Sequence, residues 1–224
     1  MLTKESLQFL DDLRANNNRD WFQDNKKRYE IFKKDYHQLV ADFLDAMKPM
    51  DSALEMLEIK NCTFGINRDI RFSKDKSPYK SHLGVWLSSG LKGANRAGYY
   101  VHIERGASFI AGGFYAPDPD QLKKIRKEIA FFYDDLEAIL AEPNFKKEFG
   151  DFSRNEKYLL KTPPRGYEKD HPAIEFLKLK SFETLQKFDI NEVTQKDFVA
   201  KMSQKLIVLK PLNEFMNRAV TVDE

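Results

Sequence analysis

The chain reads as an α+β protein: an antiparallel sheet of about five or six strands in the middle, covered by N-terminal, central and C-terminal helices. Three observations lead there. Apolar residues recur at three- and four-residue steps towards both ends of the chain. Between Phe64 and Tyr115 they fall instead on alternate positions, the period of a half-buried strand. A strong helix start at Asp118 then follows, a strands-then-helix order unlike the strict alternation of a parallel sheet. The 224 residues suffice for one sizeable core, and apolar residues are spread evenly, so a single domain over 1–224 is expected.

Taken in order, Thr3 caps a first helix whose Leu7, Leu10 and Leu13 share one face, and Asn16-Asn17-Asn18 ends it. One long helix is expected next, with Phe22, Tyr29, Phe32, Tyr36, Leu39, Val40, Phe43 and Met47 as a core stripe. Lys48-Pro49 stops it, because proline disfavours helix in the residue before it. Phe64, Ile66, Ile70 and Phe72 then alternate, as do much of His82 to Leu91 and Gly98 to Ile103, and a further strand is expected over Ser108 to Tyr115. Leu91-Lys92-Gly93-Ala94-Asn95 and Glu104-Arg105-Gly106-Ala107 supply hairpin turns, and Gly112-Gly113 allows a bulge or a close backbone approach.

Asp118-Pro119-Asp120-Gln121 combines a cap, a proline in the first helical turn and a side chain that reaches back. Leu122, Ile125, Ile129, Phe132, Leu136 and Ile139 form that helix's stripe, and Pro143 closes it. Tyr158-Leu159-Leu160 and Ser181 to Phe188 read as strands, with a short helix from Asp170-His171-Pro172 to Leu179 between them. Thr194 to Ala219 forms the last helix, with Phe198, Met202, Leu206 and Leu209 inward and an interruption near Pro211.

Charge is plentiful and nearly cancels: charged residues make up 32% of the chain, with a formal net charge of +2. This argues against a protein built as a whole to hold nucleic acid or an acidic membrane, so any basic site must be local. The one cysteine, Cys62, has no internal partner, and the four histidines, His37, His82, His102 and His171, show no ligand spacing. Neither a structural metal nor a cofactor is expected, and His82 and His102 read as packed or exposed singletons. No stretch reaches the ~18 apolar residues of a membrane helix and the start lacks a secretory pattern, so a cytoplasmic location is expected.

The densest chemistry lies in Arg68 to Lys80, where Arg68, Arg71, Lys74, Lys76 and Lys80 face only Asp69 and Asp75. Arginine offers a planar fork of donors, lysine a point charge, and Ser73, Ser77 and Tyr79 add neutral donors, a mixture suited to phosphate or carboxylate. The opposing reading is that the arginines pair with nearby acids and the lysines are simply solvated. Two Ser-x-x-Lys tetrads, Ser73 to Lys76 and Ser77 to Lys80, match the spacing of a serine nucleophile and its lysine, but the companion Ser-Asp-Asn and Lys-Thr-Gly elements are absent. Asp170-His171 offers either an oriented imidazole or merely a helix cap. Gly112-Gly113-Phe114-Tyr115 lacks any nucleotide-cradle spacing, although Tyr115 can line a pocket.

Asn18-Arg19-Asp20-Trp21-Phe22, the run from Arg68 to Lys80, Gly112-Gly113-Phe114-Tyr115, Asp170-His171-Pro172 and Lys180-Ser181-Phe182 occur in that order along nearly the whole chain. In this the chain resembles DUF2461, a family of bacterial and fungal proteins. The resemblance implies no substrate, cofactor or catalytic residue, so function rests on the residues themselves. They favour binding, with or without turnover, of a small anionic or phosphorylated molecule by Arg68, Arg71, Ser73, Lys74, Lys76, Tyr79 and Lys80, helped by Tyr115 and His171. The alternatives are a binder of nucleic-acid backbone that uses Phe72 and Tyr79, or an interaction or scaffold protein in which the loop forms internal salt bridges.

Overall fold

A computed structural model describes residues 2–90 and 95–221. The chain forms two compact units, Met1–Leu87 with Tyr100–Ile110 and Lys187–Gln204, and Ser88–Tyr99 with Ala111–Gln186 and Lys205–Glu224. One antiparallel sheet holds β1 (Leu83–Ser88), β2 (Gly98–Ile103), β3 (Phe109–Phe114) and β4 (Phe182–Lys187), hydrogen-bonded in the order β1-β2-β3-β4. The architecture is therefore α+β, with four strands among the described residues where five or six are expected. Among the described residues no helix is long and apolar enough to cross a membrane.

In the first unit, α1 (Lys4–Ala15) starts where Thr3 accepts a hydrogen bond from the Ser6 N–H. It buries Leu7, Phe9, Leu10 and Leu13. The long helix expected next is two: α2 (Arg19–Asp24) and α3 (Lys26–Met47). Asn25 leaves helical geometry between them and returns its side-chain N–H to the Trp21 carbonyl at 2.9 Å, an alternative that asparagine offers the backbone. The stripe survives the break, since Phe32, Tyr36, Leu39, Val40, Phe43 and Met47 are all buried. Phe9 packs on Phe32 with ring centroids 5.3 Å apart, which joins α1 to α3. A short α4 (Ile59–Cys62) precedes the basic loop.

The strand expected over Phe64 to Phe72 is absent. Only single bridges form, Thr63 with Val85 and Asn67 with Tyr79. Phe64 and Phe72 are exposed, the latter at 94%, so the alternation has no face to bury. Asp69 accepts the Arg71 backbone N–H and Asp75 that of Ser77, local turns that compete with a ladder, and Pro78 has no N–H to give. The strand expected at Tyr158-Leu159-Leu160 likewise reduces to a 3-10 turn over Glu156–Tyr158 and one bridge, Leu159 with Leu179. The turn expected over Leu91 to Asn95 lies outside the described residues except for Asn95.

In the second unit, Asp118 and Gln121 complete a capping box at α5 (Pro119–Phe131), with Pro119 in the first turn, as the sequence implies. The stripe is interrupted at Phe132, which leaves helical geometry before α6 (Tyr133–Ala141) and lies half-exposed under the Arg218 guanidinium, 4.8 Å from its ring centre. Pro143 does not only end a helix: it opens α7 (Pro143–Glu148), a position that tolerates its missing N–H. Beyond α8 (Ile174–Leu177), β4 and α9 (Phe198–Leu206), the last helix α10 (Lys210–Thr221) buries Leu212, Phe215 and Met216 and packs on α5. Pro211 lies in its first turn, which explains the interruption.

Gly112 and Gly113 serve close approach. A Cβ on Gly112 would lie 2.9 Å from the Gly98 carbonyl oxygen, and one on Gly113, where φ is +105°, 2.1 Å from that of Phe182. Gly113→Ala is therefore expected to destabilise by ~3 kcal/mol or more, because the clash is with backbone. Gly106→Ala, with φ of +78° and open space around the Cβ, should cost only ~1 kcal/mol. Urea unfolding of both variants measures the contrast, and equal losses would contradict it.

Candidate functional site

The basic loop is closed at its base like a hairpin. The Arg68 N–H donates to the Pro78 carbonyl at 2.9 Å and the Lys80 N–H to that of Ile66 at 2.8 Å. Tyr79 anchors it. Its ring is buried and stacks on Phe22 at 4.0 Å, while the Asn17 side chain donates to its carbonyl at 2.9 Å and accepts its N–H at 3.1 Å. Tyr79, expected among the ligand-binding residues, thus sits with its ring in the core and holds the loop from there.

Both arginines are satisfied by carboxylates. Arg68 donates to Asp75 at 2.5 Å and to the Ser77 carbonyl at 3.1 Å. Arg71 grips Asp69 through two nitrogens at 3.0 and 2.7 Å. Neither serine of the two tetrads meets its lysine: the Ser77 hydroxyl donates to Asp75 at 2.6 Å, Lys76 donates to the Ile70 carbonyl at 2.9 Å and Lys80 to that of Gly65 at 2.6 Å. Lys74 and Ser73 make no side-chain hydrogen bond or ion pair among the described residues. Burial holds the Lys80 ammonium below its ordinary pKa. Hydrogen bonds from the Ser77 hydroxyl and N–H, and then from Arg68, hold the Asp75 carboxyl down to about 2.

Tyr115 and His171 belong to the second unit and have partners of their own there. The Tyr115 and Tyr158 hydroxyls lie 2.9 Å apart, and that hydrogen bond, with burial and the field of Tyr158 and Glu183, pushes the Tyr115 phenol up to about 12. His171 accepts the Ala173 N–H at Nδ1, 3.1 Å away, and meets Tyr167 edge-on. Asp170 does not cap α8, whose cap residue is Ala173 and carries no side-chain bond. The imidazole, not the carboxylate, receives a backbone donor at this turn.

A cluster that sequence reasoning missed lies beside the loop in the first unit. Alternation along β2 buries Tyr99, Val101 and Ile103 and turns Tyr100 and His102 to the other face, with Glu104 next in the same register. The Tyr100 hydroxyl lies 3.1 Å from His102 Nδ1, and His102 Nε2 lies 3.0 Å from Glu104 Oε2. His82, just ahead of β1, lays its ring against that of His102 at 4.6 Å, and Phe109 of β3 stacks on the His102 ring at 4.8 Å. Burial, then the neighbouring His102, lowers the His82 pKa and so favours the neutral imidazole, with Lys80 and Arg68 acting in the same direction and Glu104 against them. The two histidines are therefore not singletons. The Tyr100-x-His102-x-Glu104 spacing within an expected strand was the available signal, but pairing with His82 depends on strand register.

A family model, Conserved hypothetical protein (DUF2461), matches residues 5–215. The chain belongs to this family. No curated protein and no solved structure matches it. The DUF2461 match takes in the basic loop, the histidine cluster and most of both compact units.

In this DUF2461 member the Asp75 carboxyl carries a clear pH signature. Its pKa is depressed on folding, so its hold on the loop is present above the ordinary value of 3.8 and is lost as pH falls through about 2. Carboxyl NMR should therefore give Asp75 a midpoint near 2, and Ser77→Ala, which removes the strongest donor, should raise it towards 3.8. A midpoint at the ordinary value in the parent would show that the loop contacts do not persist in solution.

Proposed function

We propose that the chain binds a small anionic or phosphorylated molecule on the lysine side of the 66–80 loop. One observation carries this reading. The two arginines are neutralised by the two aspartates, so the loop's remaining charge of 5 − 2 = +3 resides on Lys74, Lys76 and Lys80, which have no carboxylate partner among the described residues. Lys76 and Lys80 are not loose: each ammonium is steadied on a backbone carbonyl, which restrains it without cancelling its charge. The arginine pairs act as a frame that sets the loop's shape, and the lysines supply the attraction. Tyr115 and His171 do not enter this reading.

A second reading has its own support. Phe72, in the same loop, stands 94% exposed with the Arg71 guanidinium 5.8 Å from its ring centre. An exposed ring beside a guanidinium, in a loop of net positive charge, suits the stacking of a base from a single strand. Tyr79, buried against Phe22, cannot share that work.

Calorimetry with inorganic phosphate, a phosphometabolite panel and a single-stranded oligonucleotide tests both. For a small anion, Lys76→Ala and Lys80→Ala should each weaken binding about tenfold, or ~1.4 kcal/mol. Phe72→Ala should matter only for the oligonucleotide, whose affinity should also fall steeply with salt. Equal binding by the parent and both lysine variants would remove the small-anion proposal.

A further inference from the structure

We infer that His82, His102 and Glu104 form a binding site for one divalent first-row transition-metal ion. One ligand atom from each of the three lies within 4.8 Å of the others, and all three side chains are half-buried. Two imidazoles and a carboxylate make a donor set for zinc, iron, cobalt or manganese, with further coordination positions left for water or a ligand.

Three features of the surroundings support an ion here. First, two donors bound at ~2.1 Å to one ion lie about 3.0–3.4 Å apart in octahedral or tetrahedral arrangements, and His102 Nε2 and Glu104 Oε2 are already 3.0 Å apart. A nitrogen lone pair and a carboxylate oxygen approach that closely only with a positive centre between them, a proton or a metal. Second, His82 favours the metal over the proton. Its imidazole makes no hydrogen bond among the described residues, yet it is packed against His102 with its donor atom inside the same small space. A proton shared by His102 and Glu104 gives His82 nothing to do. Third, outer partners are in place. Tyr100 contacts the other nitrogen of His102 at 3.1 Å, and Arg14 holds the other oxygen of Glu104 at 2.7 Å. Such partners orient ligands and commonly change affinity 10–100-fold.

The test is titration of chelator-stripped full-length protein with Zn²⁺ and with Co²⁺, followed by calorimetry and by the histidine ring resonances. One equivalent should bind, and the rings of His82 and His102 should shift together while those of His37 and His171 stay put. His82→Gln and Glu104→Gln should each weaken binding at least ~10-fold, and Tyr100→Phe should weaken it within the ~10–100-fold range of an orienting partner. His82 is the variant of choice because it lies outside the named strands and its side chain hydrogen-bonds to nothing among the described residues, so its replacement should leave the circular dichroism of the parent. No stoichiometric binding, or binding that His82→Gln leaves unchanged, would overturn the assignment.

Discussion

The first unit turns on a side-chain amide. Asn17, in the short link between α1 and α2, pairs both ways with the backbone of Tyr79 and so does the work of a neighbouring strand where none exists. With Phe22 stacked on the Tyr79 ring, this fixes the downstream end of the basic loop in the helical layer. The next residues of the chain inherit that placement: Lys80 is directed to the Gly65 carbonyl, and two residues later His82 leads into β1 with its ring against His102. A half-buried polar pairing of this kind is demanding, because a half-satisfied amide costs more than none.

A second buried group reinforces it from the other side of the loop. The Tyr36 hydroxyl, on α3, donates to the Gly84 carbonyl at 2.5 Å and accepts the Phe64 N–H at 3.0 Å, and burial raises its pKa so that it stays a neutral phenol. Gly84 leaves room for that face, since a Cβ there would lie 2.5 Å from the Tyr100 hydroxyl oxygen and displace the Tyr100 ring. Helix α3, the approach to the loop and the face of β2 that carries Tyr100 and His102 are thereby tied together. Lys80 and the histidine cluster are neighbours for this reason, and the positive field of Lys80 and Arg68 reaches His82.

That field sets the two proposed sites in tension. Lysines that attract an anion make the adjoining His82, His102 and Glu104 a poorer home for a cation, and Glu104 shares its charge with Arg14. A bound anion would relieve the repulsion, so occupancy of one site should favour the other, by reciprocal linkage. Exposed ion pairs such as Arg71 with Asp69 add little to stability in water, and their value here lies in shaping the loop.

Residues close together in the chain were legible from the sequence alone. Thr3 and the Asp118 to Gln121 box start their helices because capping is a matter of three or four consecutive residues, and the α3 stripe follows from helical period. The density of charge between Arg68 and Lys80 was equally plain, and so was the family. Tertiary structure decided the rest. Alternation at Phe64 to Phe72 produced no strand because nothing covered it, and the arginines met acids two and seven residues away because the loop folds on itself. His82 and His102 came together because cross-strand register, which no local pattern encodes, set two distant side chains on one face.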